Sequence, residues 1–174
     1  MIAVELVADT DVLSYLFRQS SLGVSYGRLI GRRPVGVTGL ALAEIHFGAA
    51  LGGWGRRKLE ELQSFLKRFT HVPDTEEIAE VCGQIRAQYA RVGRAISWPD
   101  ACAAASALWL QVPLVTHDRD HEGIPGLQVL TLHDDWRIGE KHALCDDEHD
   151  AIAALRGGGP LWLGESERRV ALHA

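Results

Sequence analysis

Apolar and polar positions along the chain fall into short apolar runs separated by longer stretches of helical period. The run "AVELVAD" (3–9) places Val, Leu and Val as a buried strand would. "VLSYLFR" (12–18) has helical spacing, and Gly23 and Gly27 are expected to break up the helical pattern after it. "RPVGVT" (33–38) reads as a second, β-branched strand, and "GLALAEIHFGAAL" (39–51) as a helix stopped by Gly52 and Gly53. "RRKLEELQSFLKRF" (56–69) puts Leu59, Leu62, Leu66 and Phe69 on one stripe. "HVPDT" (71–75) suggests a short extended piece, with Thr75 capping a helix that ends near Gly93. "SWPDACAAASALWLQ" (97–111) is an alanine-rich helix opened by Pro99 and Asp100. "VPLVTHD" (112–118) and "GLQVLTL" (126–132) are strands. This order predicts a mainly parallel α/β sheet with helices on both faces. Beyond Asp134 the pattern loosens. Residues 1–133 therefore read as one domain, and 134–174 as an appendage rather than a second domain, with one short helix over 147–155.

At 174 residues the chain is long enough to bury a core without staples. Its N-terminus carries Glu5 within its only apolar stretch and lacks a basic region, so no secretory leader is expected. No apolar run approaches a membrane span. Cys82, Cys102 and Cys145 are odd in number and scattered, as expected of reduced thiols in a cytoplasm.

Charge adds a second layer. The net charge is −5, which argues at first against a nucleic-acid partner. The first hundred residues, however, carry 12 basic against 11 acidic side chains, and the remainder 6 against 12. A compact acidic site that binds cations also gains affinity for phosphate that formal charge undercounts.

The acids are best read by their place in the predicted sheet. Ligands of parallel α/β sheets sit outside the carboxyl ends of the strands. Asp9 ends the first strand, and Asp118 and Asp120 follow a later one. Asp100 opens a helix at the same edge in a right-handed crossover. Glu44 lies one to two turns into the helix after the second strand. Singly, Asp100 reads as a dipole partner, Asp118 and Asp120 as turn residues, and Asp9 as a helix opener. Glu44, among apolar neighbours in "LALAEIHF", is harder to explain that way. Crowded carboxylates repel one another unless a cation lies between them, and oxygen donors suit Mg²⁺ or Mn²⁺.

Four stretches, "VADTDVLSYLF", "VTGLALAEIHFGA", "SWPDACAAASALWL" and "PLVTHDRDHEGIPGLQVL", resemble in order the signatures of PIN-domain ribonucleases, and among these the VapC-type toxins of bacterial type II toxin–antitoxin pairs. The resemblance spans roughly residues 4–131. It implies a PIN-like three-layer α/β/α sandwich, Mg²⁺- or Mn²⁺-dependent cleavage of RNA, a cognate antitoxin, a homodimer and a cytoplasmic location. By position, the family's acids fall on Asp9, Glu44, Asp100 and Asp118, with Asp120 auxiliary and Thr116 the hydroxyl residue beside them. Three departures stand out. His121 replaces the usual aromatic, Asp11 stands where Asn or Ser is common, and the tail is longer than in many members.

On this reading Asp9, Asp100, Asp118 and Asp120 are the expected metal ligands. Glu44 is placed to hold the attacking water, and Thr116 to orient a carboxylate. Arg28, Arg32, Arg33 and Arg94 are candidate phosphate contacts. His46 and His117 are weak candidates for general acids, because sequence neighbours of an acid point another way. Trp98 and Trp109 suit packing better than base stacking. Two other classes of function compete. "VADTDVL" approaches the opening of haloacid-dehalogenase-like phosphatases, although Leu13 stands where Thr or Val is required. A non-catalytic PIN-like protein-binding module would have no use for the acids. A zinc site from His142, Cys145 and His149 would have only three unevenly spaced ligands.

Overall fold

The computed structural model describes residues 3–121 and 123–133. The expected appendage 134–174, its helix over 147–155 and the His142, Cys145 and His149 set lie outside the described residues.

Five short strands form one parallel sheet. They are β1 (Leu6–Ala8), β2 (Val35–Val37), β3 (Thr70–His71), β4 (Leu114–Val115) and β5 (Val129–Leu130). Their order is β3-β2-β1-β4-β5, with Val7 paired to Gly36 on one side and to Leu114 on the other. The connections are α1 (Thr10–Arg18), α2 (Ser21–Ile30), α3 (Gly39–Leu51), α4 (Arg56–Leu66), α5 (Glu76–Arg91) and α6 (Trp98–Leu110), with one 3-10 turn at Arg119–His121.

The period of two along each strand divides the core into two layers. Val7 and Leu114 face Ile78, Ile85, Ala101 and Ala104 of α5 and α6. Leu6, Ala8 and Val115 face Val12, Leu13, Tyr26 and Ile45 of α1, α2 and α3. The result is the expected α/β/α sandwich with a central parallel sheet. Both faces being covered explains why the strands read as continuous apolar runs. In α6, Ala101, Ala103, Ala104, Ala105 and Ala107 are all buried, and their small side chains let the helix lie close against α5 and the sheet.

Helix starts follow local chemistry. Asp9, Ser20, Thr38, Thr75 and Ser97 each accept the backbone amide three residues on, satisfying a donor that the helix leaves free. Two expectations need correction. Gly23 and Gly27 do not break a helix, because α2 runs through both. A Cβ on Gly23 would collide with the Tyr15 carbonyl, so glycine serves there to bring α2 against α1. The helix expected over 56–69 stops at Leu66, because Thr70 pairs with Gly36 in the sheet while Phe69 packs on Phe65. Cys82 and Cys102 are buried and unbridged. Among the described residues no helix is long and apolar enough to cross a membrane.

Candidate active site

The parallel sheet delivers several loops to one edge, at the carboxyl ends of β1, β2 and β4. There a cleft of about 360 Å³ opens, lined by Thr10, Asp11, Glu44, Phe47, Ser97, Asp100 and Asp118.

Each acid is set by a local device. Asp9 ends β1 and caps α1, accepting the Val12 amide at 2.8 Å. The chain turns directly into α1, which carries Thr10 and Asp11 to the lining. Thr38 caps α3 as β2 ends, accepting the Ala41 amide at 3.1 Å, and Glu44 follows in the second turn. The Thr10 hydroxyl donates to Glu44 Oε2 at 2.6 Å, tying the start of α1 to α3. At the start of α6, Ser97 Oγ accepts the Asp100 amide at 3.1 Å and donates to Asp100 Oδ2 at 2.5 Å. That pair of bonds holds the Asp100 carboxylate over its own helix terminus, where the dipole favours negative charge.

Behind the lining, Asp9 is 2% exposed, and the Thr116 hydroxyl donates to it. Thr116 Oγ1 also accepts the Asp118 amide at 2.9 Å, and Asp118 Oδ1 accepts the Asp120 amide at 2.9 Å. These bonds fold the residues after β4 into a turn that presents Asp118. Buried His121 braces the turn, with Nδ1 3.3 Å from Thr116 Oγ1 and Nε2 3.4 Å from the Asp100 carbonyl. The Tyr26 hydroxyl donates to the Thr116 carbonyl at 3.0 Å, fixing the other side.

Burial pushes the Asp9 carboxyl up to about 6, although bonds from Thr116 and Val12 and the nearby His121 oppose the rise. Asp11 is also raised, first by burial and then by the charges of Asp100 and Asp118. The acids thus feel one another across the cleft, and a cation would relieve that repulsion. Among the described residues no group of three or more His, Cys, Asp or Glu side chains is placed to hold a metal ion. The donors are all oxygen and the site is open. This combination fits a hard cation such as magnesium, which keeps several waters and takes few protein ligands.

Glu44, Asp100 and Asp118 therefore meet at one cleft, with Asp9 and Thr116 buried behind it. Asp120 does not join them, because its carboxylate lies 3.4 Å from Arg94 Nη2, outside the lining. Arg33 bends back on α2, donating from Nε to the Ile30 carbonyl at 3.0 Å, and so caps a helix rather than facing solvent as a phosphate contact. Arg28 and Arg32 are exposed but do not line the cleft. His117 is engaged by the Tyr26 hydroxyl at 2.8 Å and stacks on His133, while His46 is exposed on α3. Trp109 packs against the core, and Trp98 lies under Arg86. The sequence marked Asp11 only as a departure from the family's pattern and did not single out Thr10, Ser97 or Phe47 as lining. The cap pattern of Ser before Trp-Pro-Asp was the one available signal, and it pointed to Ser97. Asp9, buried and bonded at both oxygens, lacks the exposure that a phosphorylated nucleophile requires.

The PIN domain family matches residues 6–127. Among solved structures, the chain is similar to VapBC2 from Rickettsia felis bound to a promoter DNA fragment, at 19% identity and a TM-score of 0.64, covering 74% of this chain and 98% of that one. DNA-bound VapBC from Salmonella typhimurium is similar at 23% identity and a TM-score of 0.62, with the same coverages. VapBC-1 from nontypeable Haemophilus influenzae is similar at 22% identity and a TM-score of 0.60, covering 72% and 96%. At these identities the likeness speaks for the fold. No curated protein matches the chain significantly.

Proposed function

The chain belongs to the PIN-domain family, and on that premise we propose that it is a Mg²⁺- or Mn²⁺-dependent endoribonuclease, the VapC-type toxin of a type II toxin–antitoxin pair. The observation that carries this reading is the meeting of Asp11, Glu44, Asp100 and Asp118 at one cleft, with Asp9 buried behind them. A bound divalent cation would neutralise the scissile phosphate and make water a competent nucleophile near neutral pH. Asp100 and Asp118 would hold it from the lining, with Asp9 adding negative charge from behind and Thr116 orienting the Asp9 carboxylate. Glu44, steadied by Thr10, would hold the attacking water and accept its proton. Asp120 and Arg94 would support the turn that carries Asp118, rather than supply a ligand.

The similar structures described as VapBC complexes support an antitoxin as partner, and a homodimer and a cytoplasmic location belong to the same proposal. The test is cleavage of total cellular RNA by purified, metal-stripped protein. EDTA should abolish cleavage and added Mn²⁺ or Mg²⁺ restore it. Full cleavage in chelator would sink the mechanism. Cation binding with no cleavage of any RNA would favour a non-catalytic binding module.

A further inference from the structure

The cleft has a second wall that the acids do not explain. Phe47 lines it and is 66% exposed. It stands three residues beyond Glu44, so both side chains lie on one face of α3. The other phenylalanines are packed, Phe17 on Trp54 and Phe65, and Phe65 on Phe69. Phe47 belongs to neither core cluster, and among the described residues no ring or cation stacks on it. A large apolar side chain left open at the mouth of an acidic cleft calls for an occupant with an apolar face and a charge the cleft can hold through a cation.

We infer that Phe47 is the stacking platform for a nucleobase of the RNA, belonging to a nucleotide beside the scissile phosphate. The inference rests on the ribonuclease reading above and adds where a base is held. A phosphate brought to Asp100 and Asp118 by a cation carries its ribose and base with it, and the same small cleft contains the ring. Every base offers a π face, so such a platform holds single strands while tolerating many sequences. Leu40 and Leu51 are also exposed and continue the α3 stripe, so a protein surface is the competing occupant.

The experiment compares Phe47→Ala, Phe47→Leu and Phe47→Trp in the full chain. Leucine keeps apolar bulk without a π face, whereas tryptophan keeps the face. Two readouts are taken: affinity for a fluorescent oligouridylate by anisotropy, and steady-state cleavage of single-stranded RNA. Oligomer mass is measured alongside. Both Ala and Leu should weaken affinity and raise KM on the order of ten- to a hundred-fold. In both variants kcat should be nearly unchanged, because the contact is already made in the bound substrate. Tryptophan should restore wild-type values, and the mass should not change. An oligomer with abasic sugars should bind wild type as weakly as the Leu variant binds the intact strand. Unchanged affinity in Phe47→Leu, or rescue by leucine as complete as by tryptophan, would overturn the inference. A changed oligomer mass with RNA affinity intact would overturn it in favour of a protein contact. Loss of affinity in Phe47→Leu supports stacking even if wild type cuts nothing, which separates this inference from the nuclease reading.

Discussion

Replacing Asp9 with Asn should stabilise the protein in chelator, by an amount that grows from about pH 4 and levels off above about pH 6. Burial lifts this carboxyl from the ordinary 3.8 to about 6, so the folded state holds a proton that the unfolded chain has already released. For an acid raised in this way, stability is undiminished below pH 4. It falls as pH rises from about 4 to about 6, and the loss is complete above. At about 1.4 kcal/mol per tenfold change, the ionised Asp9 costs the fold up to about 3 kcal/mol at pH 7. Asparagine is as good an N-cap as aspartate, so the bond from the Val12 amide survives. Its amide can donate to Thr116 Oγ1, whose own hydrogen can then turn to His121 Nδ1, 3.3 Å away. The variant therefore keeps both bonds without a buried charge, although its second amide hydrogen, buried with it, costs part of the gain. It should gain about 1 to 3 kcal/mol at pH 7, or roughly 3 to 9 °C in Tm for a chain of this size, and about nothing at pH 4. Urea unfolding of both proteins in EDTA, taken every half unit of pH, gives this difference directly and cancels the other titrating groups. Saturating Mn²⁺ should reverse the order, because the cation stabilises the wild type that binds it. An Asn variant less stable than wild type at pH 7, or a difference independent of pH, would refute the role assigned to burial.

Because Asp9 is protonated below about pH 6, Mn²⁺ affinity and cleavage should both fall as pH drops through that value, and the loss of affinity should be smaller in Asp9→Asn, where the raised carboxyl of Asp11 remains; calorimetric titration across the range checks it. Thr10→Val removes the 2.6 Å bond to Glu44 and should lower kcat about ten-fold, as loss of a bond to a charged group would, with Thr10→Ser restoring it in the same cleavage assay. The crowded acids also suit a bidentate arginine, so the antitoxin should insert an Arg or Lys beside Asp9, Asp100 or Asp118 and compete with the cation. Its calorimetric affinity should be weaker in Mg²⁺ than in NaCl of equal ionic strength, and equal affinities would place inhibition elsewhere.

The sheet and the edge where the acids gather were readable from the chain because they rest on short-range rules. Strands buried on both faces are apolar throughout, as at Leu6–Ala8 and Leu114–Val115, and polar residues after such strands fall at one edge. Side-chain destinations were less readable because they depend on turns whose bonds cross the fold. Asp118 and Asp120 are equivalent in sequence. Only the Thr116 hydroxyl and the Asp118 carboxylate, by accepting successive amides, turn one toward the cleft and the other toward Arg94. Arg33 looked free until the end of α2 supplied carbonyls for it. Gly23 looked like punctuation because the close approach of Tyr15 that requires it is tertiary. The exposure of Phe47 was hidden for a related reason. α3 is apolar around most of its circumference, so its pattern does not say which side faces water.

Asp100→Asn and Asp118→Asn, assayed beside wild type on one RNA in saturating Mn²⁺, test most directly whether the cleft acids cut RNA. Each substitution keeps size and removes a single charge at the lining, so folding by circular dichroism should be unchanged while cleavage falls by orders of magnitude, on the order of a hundred-fold or more. Wild-type cleavage rates in both variants would contradict the assignment of the cleft as the place where RNA is cut.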